Sequence, residues 1–352
     1  MKHKRNVEIL WFFIKDKSKK NWLQIIKELT SQFISQRKIP VNYITNLLYR
    51  KEITNIEDYL NLNENNTLLS WSYSHAKDEI GLVENKLLFN DLMLKNNIST
   101  PKIIFYNSKN SFYYNHEILN IDSKKSFLFF LGNVFKNEET DRIFCKPIDG
   151  SMGKNIFILE KNKYKNLSEN VVNMIITESF IFQEVVLQHE ILKKINDSSL
   201  NTLRVVTYKN KENIVEVLSG FIRLGRKGAI VDNAHAGGIV VSFNKYSGKM
   251  RPMGLQLIDN GGGIFYHHPD SSIVFEDYQI PYYSEVIDVV SKASRFLKFP
   301  LLGWDVAITP NGPTIVEVNH NFHLFLSDRM ENGFKRIPSV KKILEQIHQK
   351  NI

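Results

Sequence analysis

Apolar and polar residues alternate most cleanly over Gly303–Asn319, GWDVAITPNGPTIVEVN, which predicts two short strands, Trp304–Thr309 and Thr314–Val318, around Pro310-Asn311-Gly312. Proline at the second turn position, asparagine at the third and glycine where a positive φ is wanted suit a three-residue loop, a type I turn closed by a glycine bulge. That loop length sets Asp305 opposite Glu317. Side chains alternate across a strand, so Asp305 and Ala307 share a face with Ile315, Glu317 and Asn319. Val306, Ile308, Val316 and Val318 point the other way. One face reads as core and the other as two carboxylates and an amide.

Elsewhere the pattern is coarser. Residues 1–75 read as several helices, with Trp22, Ile26, Leu29 and Phe33 at helical spacing. The run Asn61-Leu62-Asn63-Glu64-Asn65-Asn66 reads as a polar break. A single helix is predicted over Asp78–Asn96, ended by Pro101, with a strand at Lys102–Tyr106. Apolar strand residues from Arg142 lead through Lys146-Pro147 and Gly150-Ser151-Met152-Gly153-Lys154 to a strand at Ile156–Leu159. Further strands are predicted at Phe180–Val186, Leu200–Tyr208, Ile214–Leu224 and within Val231–Phe243. The implied organisation is a basic helical region over 1–77, a central α/β region with a glycine loop over 78–185, and a C-terminal region over 186–352.

A chain of 352 residues with 43% apolar and 24% charged residues is long enough for a large core and several domains. The single cysteine, Cys145, excludes an internal disulfide and any cysteine-rich metal site, and fits a reducing cytoplasm. The net charge of +9 is located: residues 1–51 hold 12 Lys and Arg against 3 Asp and Glu, and the remainder balances at 34 against 34. A basic amphipathic region could touch anionic lipid or an acidic partner, or be the solvated face of a helical subdomain. The apolar run Ile9–Ile14 is too short to span a bilayer and lacks a signal-peptide cleavage site.

The candidate chemistry is polar and anionic. Two carboxylates held as cross-strand neighbours repel unless a cation or a proton sits between them, and a hard divalent cation takes such oxygens; a merely acidic solvated face is the alternative. The Gly150–Gly153 loop departs from the GxxxxGK[ST] phosphate loop, yet a glycine-bearing loop between strands can still fold over phosphates beside a lysine. Arg204 and Arg223 each stand among apolar strand neighbours, where a guanidinium needs a carboxylate or phosphate. Asp232, Asn233 and His235 precede the paired glycines Gly237 and Gly238. His267 and His268 read as ordinary loop histidines.

The order of these pieces resembles the ATP-grasp superfamily over about residues 80–330. The resemblance is closest to its sugar-transfer-associated branch in LNTLRVVT, VDNAHAGGIVV and GWDVAITPNGPTIVEVN. It implies an α+β fold with ATP held between two antiparallel sheets and a helical region ahead of it. It further implies that Lys86 and Lys146 contact the α- and β-phosphates while the loop of Gly150, Ser151 and Gly153 closes as a lid. Gln183, Glu184, Val185 and Val186 would form the adenine hinge through their backbone, with Glu190 at the ribose. Asp305, Glu317 and Asn319 match the magnesium ligands. Arg204 and Asn201 are similar to groups that hold the transferred phosphate, and Asp232 and Asn233, with Gly237 and Gly238, line the acceptor side.

The activity so implied is ligation of a carboxylate to an amine through an acylphosphate, with a uronic-acid-type sugar, free or nucleotide-linked, as the carboxylate and a small amine as partner. The expected setting is cytoplasmic, with the basic N-terminus able to reach the inner face of the membrane. Two departures stand out. Gly303 occupies a position where many of these ligases carry an arginine, which leaves Arg204 or Arg223 to take its place. His320-Asn321-Phe322-His323 also departs from the small-residue and proline pattern usual there. A kinase acting on a stable acceptor and a non-enzymatic basic adaptor remain as alternatives. Nucleic acid is not expected, because no recognition motif accompanies the basic residues.

Overall fold

The computed structural model describes residues 2–149, 155–229, 232, 234, 237–322 and 324–350. The lid residues Gly150, Ser151 and Gly153, and also Asn233, lie outside this set. The chain divides into a larger unit, Met1–Lys77, Gln188–Pro313 and Glu317–Ile352, and a smaller one, Asp78–Leu187 with Thr314–Val316.

The larger unit opens with helices α1 (Lys2–Lys15), α2 (Trp22–Gln36), α3 (Val41–Thr45) and α4 (Leu62–Ser74). The polar run expected to be a break is instead the start of α4. The Asn61 side chain accepts from the Glu64 N–H while the Glu64 carboxylate accepts from the Asn61 N–H, a reciprocal cap. Polar residues are what a helix N-terminus needs, since its first N–H groups have no intrahelical acceptor.

The smaller unit begins with α5 (Ile80–Glu84) and α6 (Lys86–Lys95), where one helix was expected. Asn85 lies between them in extended backbone, and its side chain accepts from the N–H groups of Leu87 and Leu88 at 3.0 and 3.1 Å. An asparagine that caps in this way ends one helix and starts the next, and it makes Lys86 the first residue of α6. There follow β1 (Ile103–Ser108), β2 (Ser111–Tyr114), β3 (Glu117–Asn120), α7 (Lys124–Asn137), β4 (Arg142–Pro147), β5 (Phe157–Glu160), α8 (Glu169–Thr177) and β6 (Phe180–Glu184). The strands form a six-stranded antiparallel sheet in the order β3-β2-β1-β6-β4-β5. Its core is aromatic, with Phe105 stacked on Phe182 at 4.0 Å between ring centroids.

The larger unit resumes with α9 (Glu190–Ile195), β7 (Thr202–Lys209), β8 (Val215–Leu224), β9 (Ile239–Phe243), β10 (Met250–Gln256), β11 (Ile264–Phe265), α10 (Tyr283–Ser294), β12 (Leu301–Thr309), β13 (Gly312–Asn319), α11 (Leu324–Met330) and α12 (Pro338–Lys350). Its seven strands run β11-β10-β9-β8-β7-β12-β13. The predicted hairpin is therefore a sheet edge and its neighbour, with longer strands than expected and with Gly312 at a φ of 116°. Two expectations are corrected. Strand β12 is buried on both faces as far as Ile308, Asp305 included, while Val316 is only half-buried. His268 stands in a loop but is fully buried, with Nε2 donating to the Gly225 carbonyl at 2.9 Å and Nδ1 accepting from the Asp270 N–H.

The N-terminal helices are built into this unit. Ser72 on α4 exchanges hydrogen bonds with both backbone groups of Leu301, and buried Asp328 accepts the N–H groups of Leu60 and Phe334 at 2.9 and 2.6 Å. Asp328→Ala is expected to lower the unfolding free energy by about 2–5 kcal/mol in urea, since each buried donor left unpaired costs about 1–3 kcal/mol. Burial pushes the Asp328 carboxyl up to about 8, against the pull of those two donors. The unfolded chain releases this proton near the ordinary value of about 4, so the group's contribution is largest at the acid end and declines as pH rises toward 8. The urea midpoint should fall more steeply over that window in the parent than in Asp328→Asn.

Candidate active site

The candidate site within the larger unit is one face of four adjacent strands. Arg204 on β7 is directly opposite Asp305 on β12. Its guanidinium holds that carboxylate with two nitrogens, Nε to Oδ1 at 2.5 Å and Nη2 to Oδ2 at 3.1 Å. Arg223 reaches the same carboxylate from β8, Nη2 to Oδ2 at 2.9 Å, and lies 3.6 Å from Asp232. Thr202, two residues before Arg204 and so on the same face, joins the pieces: its hydroxyl donates to Asp232 Oδ2 and accepts from Arg223. The Thr202 N–H also donates to Asp232, at 2.7 Å.

These groups are poorly hydrated. Side-chain exposures are 6% for Asp305, 16% for Arg204 and 15% for Arg223. Burial by itself would raise the Asp305 carboxyl, but the charges of Arg204 and Arg223 outweigh it and hold the group below its usual range. For Asp232 burial prevails over Arg223 and Thr202, and the carboxyl is raised. Burial would lower the Arg223 guanidinium, yet Asp232, Asp305 and Glu317 together raise it. Glu317 thus acts electrostatically on the same cluster, on which two arginines face three carboxylates, a formal charge of −1 when all are ionised.

Glu317 and Asn319 alternate onto one face of β13. The amide nitrogen of Asn319 is buried and has no hydrogen-bond partner among the described residues. A half-turn of an amide exchanges its nitrogen and oxygen, so the orphaned position can present an oxygen. Two carboxylates and an amide oxygen are the hard donors a magnesium ion accepts, and the net negative charge favours a cation there. By type these donors suit a divalent metal, while both Asp305 oxygens are held by Arg204 and Arg223 in this structure.

Gly303 is also accounted for. A side-chain carbon placed on it would lie 3.0 Å from the Phe322 ring, so Phe322 fills the space where a longer residue would stand. The arginines reach Asp305 from β7 and β8 instead.

Asn201 is placed elsewhere. It is fully buried, its amide donates to the Asn196 and Leu192 carbonyls, and its oxygen accepts from the Gly225 N–H at 3.1 Å. Its side chain ties the turn before β7 to the end of β8. Asp232 faces Thr202 and Arg223, as described. Gly237 has a φ of 94° and its carbonyl accepts from Gln256, with Gly238 leading into β9. Glu190, in the first turn of α9, is exposed and pairs with Lys193 at 3.4 Å.

In the smaller unit, Lys86 and the end of β4 come together. The Lys86 N–H and Nζ both donate to the Ile148 carbonyl, at 3.2 and 3.3 Å, two residues beyond Lys146. Lys146 is 6% exposed with its ammonium 6.0 Å from the Phe144 ring centroid. Gln183 does not present its side chain to solvent but donates to the Pro101 carbonyl. Glu184 exchanges backbone and side-chain bonds with Lys102. Val185 and Val186 follow β6 outside the sheet and are half-buried.

A sequence profile for sugar-transfer associated ATP-grasp proteins matches residues 65–343. The chain belongs to that family. A comparison with curated proteins found no match. Among solved structures, the ATP-grasp ligase PsnB in complex with a minimal precursor, Mg and ADP is similar at 10% identity and a TM-score of 0.42, covering 80% of this chain and 65% of its own. The L-amino acid ligase from Bacillus licheniformis is similar at 12% identity and a TM-score of 0.36, with 68% and 41% covered. A biotin carboxylase from Campylobacter jejuni is similar at 9% identity and a TM-score of 0.46, with 82% and 52% covered. The chain thus spans less than two thirds of the length of each of these proteins.

Proposed function

We propose that this protein is an ATP- and magnesium-dependent ligase that joins a carboxylate to an amine through an acylphosphate, releasing ADP and phosphate. The observation that carries the reading is the buried Arg204–Asp305–Arg223 network with Glu317 and the orphaned Asn319 amide on the neighbouring strand. The family's sugar-transfer association supports a uronic-acid-type sugar of a surface polysaccharide as the carboxylate, with an amino acid or similar amine as the acceptor.

In this reading Asp305, Glu317 and Asn319 would hold magnesium, which offsets the charge of the triphosphate when bound. Lys86 and Lys146 supply fixed positive charge to the phosphates, the loop of Gly150, Ser151 and Gly153 covers them, and the backbone of Gln183–Val186 meets the base, with Glu190 at the ribose. A substrate carboxylate oxygen attacks the γ-phosphorus and the bond to ADP breaks. The amine nitrogen then attacks the acyl carbon, loses a proton, and phosphate departs to leave the amide. Arg223 and Arg204 would stabilise negative charge on the transferred phosphoryl group and on the tetrahedral oxyanion. Asp305, Asp232 and Thr202 keep those guanidinium groups from turning. Asp232, Asn233, Gly237 and Gly238 would serve the acceptor, as the family resemblance implies.

Binding tests the nucleotide half of this reading. Lys146→Ala should weaken magnesium-ATP binding by about 10- to 100-fold in titration calorimetry, the loss of one desolvated phosphate contact of about 1.5–3 kcal/mol. Affinity equal to the parent's would remove Lys146 from the phosphate site.

A further inference from the structure

The N-terminal helices carry apolar residues on two sides, and only one side is covered. Phe13 of α1 and Ile25 of α2 enter a core cluster with Tyr43 and Tyr49. On the outer side of α1, Val7, Leu10, Trp11 and Ile14 recur at i, i+3, i+4 and i+7, each between 51% and 59% exposed. On α2 the outward residues are Leu23 at 83%, Ile26 at 58%, Phe33 at 52% and Ile34 at 70%. Eleven of the twenty-five large apolar side chains exposed among the described residues fall within residues 7–41. A patch of this kind marks a surface that meets something other than water.

The charge around it selects the partner. Of the three acidic residues in 1–51, Asp16 is tied to Arg50 and Glu28 to Lys20, all four inside the subdomain. That leaves ten Lys and Arg against Glu8. Lys15 lies over the Trp11 ring at 4.2 Å and Lys19 over Trp22 at 5.5 Å, so cations and aromatic rings share the same outer surface. Long basic side chains beside tryptophan and aliphatic residues are the composition of a helix lying in a lipid interface. A second copy docked face to face would bring like-charged lysines against each other. Among the described residues no helix is long and apolar enough to cross a membrane, so the contact is peripheral.

We infer that the outer face of α1 and α2 binds an anionic membrane surface, seating apolar side chains at the acyl boundary with lysines at the headgroups. The test is sedimentation of the full chain with vesicles of phosphatidylcholine alone or with about one third phosphatidylglycerol, near the charge of a natural anionic leaflet. The parent should pellet with the anionic vesicles and release as salt rises. The triple variant Trp11→Ser, Leu23→Ser, Ile26→Ser, altered only at exposed positions, should lose at least about tenfold in partitioning while keeping the parent's urea midpoint. Lys15→Gln with Lys17→Gln and Lys27→Gln should lose the preference for anionic over neutral vesicles. The inference falls if the parent stays in the supernatant at low salt, binds neutral vesicles equally well, or is unaffected by the triple variant. It falls equally if the patch drives a concentration-dependent dimer that the triple variant abolishes.

Discussion

Glu317→Ala is expected to lower ADP formation by about 10³-fold or more, the several kcal/mol that a metal-bound transition state loses with a ligand. Its folding free energy should stay within about 1 kcal/mol of the parent's, because Glu317 is half-buried on the edge strand and joins the cluster through its charge rather than as part of a packed core. Turnover is read with a coupled ADP assay and stability in urea. Turnover close to the parent's in a folded variant would remove Glu317 from the metal site, while a large loss of stability would make it a structural residue instead.

Asp305→Ala should cost both at once. The carboxylate is the shared partner of Arg204 and Arg223, and removing it leaves Arg204 without that carboxylate in a poorly hydrated place and Arg223 with Asp232. Breaking a buried ion pair from one side costs about 3–5 kcal/mol, so the urea midpoint should drop markedly along with turnover. The contrast with Glu317 is the informative part. If Asp305→Ala were as stable as the parent, the network that orients both arginines would not be what holds them, and their proposed role at the phosphoryl group would lose its support.

The hairpin was legible because its information is local: a Pro-Asn-Gly turn and period-two alternation lie within seventeen residues. The ATP-grasp family was legible from the order of such pieces. What surrounds Asp305 was not, because Arg204 lies 101 residues away and meets it only through the pairing of β7 with β12. The two arginines were found as anion seekers, but nothing in the sequence said that both would find the same carboxylate. Thr202 was missed; its position two residues before Arg204, on the same strand face, was the available signal. The phosphate role of Asn201 rests on the family resemblance alone. In the fold its amide satisfies backbone groups of a buried turn, which local pattern does not reveal. Asn85 and Asn61 show the same limit for helices, since a capping asparagine and a polar loop look alike until the hydrogen bonds are known.

The reaction itself is tested most directly by trapping. With magnesium-ATP, a panel of free and nucleotide-linked uronic acids, and hydroxylamine in place of the amine, the proposed acylphosphate should yield a hydroxamate and ADP in equal amounts with one panel member and none without it. ADP accompanied by an acid-stable phosphoester and no hydroxamate would contradict the ligase assignment and leave a kinase. Failure to bind magnesium-ATP at all would contradict the nucleotide site on which the assignment stands.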